Sequence, residues 1–257
     1  RDMNVIVVTD IDWIIPSFFF IREGGEEAFL PATQNVTFIL NIVDGIRASS
    51  DITLTVRISA EEFVANGNTL EQASVIARTL EAHGVSAISV SVGVYETFNS
   101  QSMVSGEPEG RWLPVAAALA RELHVPVFGV GRIRRAEVAE AAVASGQCAI
   151  PLFGRAAIAD AELPNRIREG REKEILPCVS CNVCLGRSAR PETICPANPA
   201  VGRDRSFARA MATAPGAVLR IAIAGSCVAA LTAAWIAAHR GHRITVYETD
   251  GLFGGMQ

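Results

Sequence analysis

Between residues 36 and 153 the sequence switches regularly between segments of helical periodicity and short, continuously apolar runs. Val36–Ala48 reads as a helix and precedes a strand at Thr53–Ile58. A helix over Thr69–His83, with Asn68 as its expected N-cap, ends at Gly84 and leads into a strand at Ala87–Val92. Leu113–Leu123 precedes Val125–Val130, and Ala136–Ser145, closed by Gly146, precedes Cys148–Phe153. Short helices are expected around Ala156–Ala159 and Leu163–Glu169, and an earlier strand within Met3–Thr9. Runs such as Val-Pro-Val-Phe-Gly-Val are what parallel strands covered on both faces need. Strict alternation with short connections means βαβ units and a parallel sheet in an α/β fold. The strands are fewer than a closed β/α barrel requires.

Six cysteines are present, and four of them crowd into the segment Cys178-Val-Ser-Cys181-Asn-Val-Cys184 and Cys195-Pro196, while Cys148 and Cys227 lie far away. That distribution points to metal ligation rather than to a disulfide framework. Two-residue gaps let successive thiolates converge on one iron–sulfur cubane, with a more distant cysteine as fourth ligand. Zinc more often takes two separated Cys-x2-Cys pairs, and four unligated thiols so close together would be an oxidation liability. The spacing favours a [4Fe-4S] cluster over either. Thiolates kept for metal binding also imply a reducing, cytoplasmic compartment.

Hydrophobic residues make up 49% of the chain and charged ones 19%, which suits a large buried core. A net charge of −4 without a run of Lys or Arg argues against nucleic acid or an anionic membrane as partner. Ile221 to Ala238 carries no charge and reaches the length of a membrane span. Gly225-Ser226 divides it, however, and strand–turn–helix explains the same residues. Around it the βα pattern restarts, with a strand at Leu219–Ala224, a helix at Val228–Arg240 and a strand at Arg243–Glu248. This is the opening of a nucleotide-binding unit that stops before it is complete, so the chain is expected to be part of a longer polypeptide.

Gly170-Arg171, Ile175 and Pro177-Cys178-Val-Ser-Cys181-Asn182-Val-Cys184 resemble the linker of the iron–sulfur branch of the Old Yellow Enzyme family. Further landmarks are Val56-Arg57-Ile58-Ser59, Val130-Gly131-Arg132-Ile133, Gly154-Arg155, Ala159-Asp160 and Leu163-Pro164-Asn165. The resemblance runs from about residue 36 to the end and implies three parts. Residues 1–170 would be the FMN-binding, C-terminal half of a (β/α)8 TIM barrel, and 171–215 the iron–sulfur segment. Residues 216–257 would start a Rossmann-like FAD/NAD(P)-binding domain. The resemblance also implies that Arg57 faces the pyrimidine edge of the flavin. Gly131 and Gly154 would let backbone N–H groups approach the FMN phosphate, and Arg132 and Arg155 would pair with it.

The pattern is broken in two places. Where the family carries a His-containing segment followed by Tyr-Gly-Gly, this chain has Val8-Thr9-Asp10-Ile11-Asp12-Trp13 and later Ala28-Phe29-Leu30. The catalytic acid or base is therefore not assignable, although Asp10 and Asp12 follow a strand and Tyr95 and Phe98 could line a substrate pocket. In the last unit Gly-x-Gly-x-x-Gly becomes Gly225-Ser226-Cys227-Val228-Ala229-Ala230, with Cys227 where the pyrophosphate needs space. Glu248 stands where the ribose hydroxyls would be bound, favouring FAD, NAD or ADP over NADP. The expected protein is an iron–sulfur flavoprotein oxidoreductase acting on an enoyl, enone or amine compound, as a homo- or hetero-oligomer. The alternative is a degenerate subunit that keeps the cluster for electron relay or structure.

Overall fold

The structure, a computed structural model, describes residues 6–8, 30–185, 193–212, 216–249, 251 and 254. Strands β1 (Ile6–Val8), β2 (Leu54–Ser59), β3 (Ala87–Ser91), β4 (Val127–Gly129) and β5 (Ile150–Pro151) form one sheet in sequential order, every pair parallel. Helices α1 (Leu30–Ser49), α2 (Leu70–Ala82), α4 (Leu113–Ala120) and α5 (Ala136–Ala144) are the crossovers, and α3 (Phe98–Gln101) is a short turn beyond β3. This is the expected α/β alternation. Asp10 and Asp12, and most of the expected first strand, lie outside the described residues.

The two faces of the sheet differ in chemistry because side chains alternate along a strand. On β2, Leu54, Val56 and Ile58 are buried and pack with Ile88, Val90, Leu80, Leu119 and Val127 in the core between sheet and helices. The alternate residues Thr55, Arg57 and Ser59 face the other way, partly exposed. Register continues this second face: Arg57 pairs with Ser89, Ser89 with Phe128, and Phe128 with Ile150. One polar-to-apolar row thus crosses four strands opposite the core.

Local chemistry refines the sequence reading. Thr69, not Asn68, caps α2: its hydroxyl accepts from the Gln72 amide at 3.4 Å, while the Gln72 side chain accepts from the Thr69 N–H at 2.9 Å. This capping box satisfies two donors at once. The Asn68 amide donates instead to the Glu62 carboxylate at 2.8 Å, which closes the loop before the helix. The β4 and β5 ladders are shorter than the apolar runs around them, pairing over Val127–Gly129 and Ile150–Pro151.

Close approach at β4 explains Gly129. A Cβ there would lie 2.9 Å from the Cβ of Cys148 and 2.9 Å from a Leu113 methyl. Cys148 is buried at this contact, and burial pushes its thiol pKa up. Gly129→Ala is therefore expected to destabilise the fold by about 1–3 kcal/mol through overpacking, read as a lowered denaturation midpoint with an unchanged slope.

Beyond β5 the chain runs through α6 (Arg155–Ala159) and α7 (Leu163–Arg168). Asp160, which is buried, pairs with Arg166 and accepts from the Leu176 N–H at 2.8 Å. Asn198 donates to the Ala159 carbonyl at 2.8 Å. These bonds bring both ends of the cysteine-bearing segment back to one place at the end of β5. A short helix, α8 (Asp204–Met211), precedes a separate parallel pair, β6 (Arg220–Ala224) and β7 (Arg243–Tyr247), joined by α9 (Val228–His239). Gly225, at φ +87°, ends β6 and splits the uncharged stretch into strand and helix. Among the described residues no helix is long and apolar enough to cross a membrane.

Candidate active site

The C-terminal ends of β4 and β5 supply three arginines to one place. Arg132 and Arg134 follow β4, and Arg155 opens α6 directly after β5. In β/α barrels this end of the strands is where active sites lie. Gly131 has φ +135°, and a Cβ there would sit 2.7 Å from the Trp112 backbone nitrogen. Only glycine can make that turn against the 110–112 segment, so packing alone accounts for its missing side chain. Arg132 follows in the left-handed region at φ +58°, a conformation costly for a residue with a Cβ. Gly154 differs from Gly131: an added Cβ would meet nothing within 4 Å, so space is open beside it.

All three guanidiniums hold the loop formed by residues 178–184. Arg134 donates to the Cys178 carbonyl at 2.8 Å, and Arg132 donates through Nε to the Ser180 hydroxyl at 2.9 Å. Arg155 donates to the Asn182 side-chain oxygen and to the Met103 carbonyl. The Asn182 amide in turn donates to the Ser102 carbonyl at 2.6 Å. Ser180 (φ +56°) and Asn182 (φ +59°) are both left-handed, so the backbone turns sharply between successive cysteines. The Ser180 N–H already donates to the Cys178 sulfur at 3.4 Å.

The charges of Cys178 and Cys195 bear on Cys184. Burial first, then the charges of Cys178 and Cys195, push the Cys184 thiol pKa up, and Arg155 opposes this. Cys178, Cys184 and Cys195 are half-buried and Cys181 is exposed. Among the described residues no three Cys, His, Asp or Glu are gathered around one metal-sized centre. The donor chemistry nevertheless fits an iron–sulfur cluster: soft thiolates, N–H donation to sulfur, and cationic surroundings for an anionic group.

Counter-charge comes from Glu109, whose side chain is 8% exposed and bonds Arg134 at 2.7 and 3.1 Å, with Arg135 at 3.4 Å. Burial raises its pKa, but the Arg134 bonds and the charges of Arg134 and Arg135 outweigh that and hold the carboxyl below its ordinary value. Arg132 is shifted down by burial and then by its cationic neighbours Arg134 and Arg155. Glu109 and Arg134 have no part in the sequence reading, and Ser180 and Asn182 enter it only within the cysteine-segment resemblance, without a role of their own. The run Arg132-Ile-Arg134-Arg135 straight after a strand was the available signal.

Arg57 stands apart from this cluster on the open face of β2 and donates to the Ser89 hydroxyl at 3.3 Å. Tyr95 is exposed and Phe98 half-buried in the turn after β3. In the smaller unit Gly225 precedes α9, an added Cβ there meets nothing within 4 Å, and the Glu248 carboxylate accepts from the Ser226 hydroxyl.

Residues 32–174 match the profile of the NADH:flavin oxidoreductase / NADH oxidase family. The chain belongs to this family. It is 35% identical to an NADH oxidase of Thermoanaerobacter brockii over 86% of this chain and 35% of that protein. It is 33% identical to a cinnamate reductase of Clostridium sporogenes over 76% of this chain and 29% of that protein. Its fold superposes with a TM-score of 0.74 on the structure of a 2-naphthoyl-CoA reductase in complex with 2-naphthoyl-CoA, at 29% identity, covering 86% of this chain and 34% of the other. The chain thus spans about a third of the length of these relatives. Family membership accounts for the α/β parallel sheet and supports FMN as the cofactor.

Proposed function

We propose that this chain is the flavin- and cluster-carrying part of an iron–sulfur flavoprotein oxidoreductase. The observation that carries the reading is the docking of the Cys178–Cys184 loop, by Arg132, Arg134 and Arg155, onto the ends of β4 and β5. FMN, when bound, supplies hydride exchange with the substrate, and a [4Fe-4S] cluster supplies one-electron transfer. Cys178, Cys181, Cys184 and Cys195 would hold the cluster. Arg57 would place a positive charge against the flavin ring from the open sheet face. Gly131 and Gly154 would bring backbone N–H groups toward the FMN phosphate. Arg132 and Arg155 would contribute charge to that phosphate while remaining bonded to the cysteine loop.

The domain division 1–170, 171–215 and 216–257 belongs to this proposal. So do an adenine-containing nucleotide at Gly225 and Glu248, oligomeric assembly and a reducing cytoplasm. Relatives named for cinnamate and 2-naphthoyl-CoA favour a conjugated acyl compound over an amine as substrate.

An anaerobic visible spectrum before and after dithionite tests the reading. Flavin bands with a broad shoulder that bleaches on reduction are expected. A shoulder without flavin would replace the enzyme with an electron-relay subunit. A colourless protein holding zinc would remove the redox reading altogether.

A further inference from the structure

The cysteine loop sits in a field that is set by charges with no place among the cluster ligands. Arg134 reaches the Cys178 carbonyl and Arg132 reaches Ser180, whose N–H in turn donates to the Cys178 sulfur. Arg155 donates to the side-chain oxygen of Asn182, between Cys181 and Cys184. Three cations therefore bear on one loop through short, partly buried contacts, where screening by solvent is weak. Opposing them is Glu109, 8% exposed, with both carboxylate oxygens directed at the Arg134 backbone and guanidinium. Its charge also reaches Arg132. The carboxylate contacts the arginines rather than the cysteines, so its influence on the loop is carried by charge and by the pose of Arg134.

We propose that Arg132, Arg134 and Arg155 raise the reduction potential of the cluster, and that Glu109, by neutralising part of their charge, holds that potential down. This inference rests on the iron–sulfur reading of the four cysteines. Its physical basis is that reduction adds an electron to an anionic group, so nearby positive charge favours the reduced form. Removing the Glu109 charge while keeping its hydrogen-bonding shape unmasks the arginines. Removing the Ser180 hydroxyl releases Arg132 from the loop and weakens the field. The two changes must shift the potential in opposite directions, which a general loosening of the fold would not do.

The test is a dithionite titration of the holoprotein against reference dyes, followed by electron paramagnetic resonance of the reduced cluster. Glu109→Gln is expected to favour reduction at least tenfold, which is about 59 mV more positive for a one-electron couple. Glu109→Asp keeps the charge and is expected to stay near the unsubstituted protein. Ser180→Ala is expected to move the midpoint negative. Equal shifts for Gln and Asp, no shift for Gln, or the same sign for Gln and Ser180→Ala overturn the proposal. Should Glu109→Gln not fold, Ser180→Ala carries the test alone, and an unmoved or raised midpoint overturns it. A protein without a cluster signal overturns the iron–sulfur reading itself, and this inference with it.

Discussion

Cys184→Ser is expected to strip the protein of most of its iron, while Cys148→Ala and Cys227→Ser leave the iron content unchanged. Cys184 is half-buried, and burial, with the charges of Cys178 and Cys195, pushes its thiol pKa up. A serine oxygen is a harder and far less acidic donor than a thiolate, and it would replace one corner of the soft ligand set. Cys148 is buried beneath Gly129 in the sheet, and Cys227 caps α9 in the smaller unit. Neither belongs to the loop, so their replacement controls for a general loss of thiols. Iron and acid-labile sulfide, measured per chain after anaerobic purification, should fall from roughly four of each toward zero in Cys184→Ser. Iron retained in full by Cys184→Ser would sink the four-cysteine assignment. Exposed Cys181 sharpens this test: if Cys181→Ser alone keeps its iron, the cluster is held by a different set.

How far the sequence could be read depended on the range of the interactions involved. Helix–strand alternation is local, and Leu54, Val56 and Ile58 against Thr55, Arg57 and Ser59 already separate the two faces of β2. The cysteine spacing is equally local, and so is the Gly225 break that turns an uncharged stretch into strand and helix. The roles of Arg132 and Arg155 were harder to read, because both sit at strand ends where either a phosphate or a neighbouring loop could take them. Their contacts to Ser180 and Asn182 span 48 and 27 residues, and no periodicity encodes such a pairing. Glu109 was hidden for the same reason. Its bond to Arg134 crosses 25 residues, and in the sequence it is one of two acidic residues just before Gly110, with Glu107. The cap of α2 failed at a finer scale. Asn68 and Thr69 are both good caps, and the choice falls to Thr69 because Gln72 stands three residues after it and Glu62 claims the Asn68 amide.

Arg57→Met is expected to lower the rate of flavin reduction by about 10²–10³-fold, the usual loss when one hydrogen-bond donor is removed from a site where negative charge develops. The residue lies on the sheet face turned away from the core, in register with Ser89 and with Phe128 beyond it. Its hydrogen bond to the Ser89 hydroxyl, at 3.3 Å, orients the guanidinium yet leaves most of its donors for another partner. Methionine matches much of its length, so the substitution removes charge with little change in packed volume. Fold stability should change little, since Arg57 is only partly buried and the core residues of β2 are its neighbours Val56 and Ile58. If the guanidinium stabilises negative charge on the reduced ring, the flavin potential must fall together with the rate. Arg57→Lys should then recover part of both, because the charge survives while the planar fork is lost. A fall in rate with an unmoved flavin potential would make Arg57 a substrate-positioning group. An unchanged rate would leave it a packing partner of Ser89 and turn the search for the reacting end of the flavin to the turn carrying Tyr95 and Phe98.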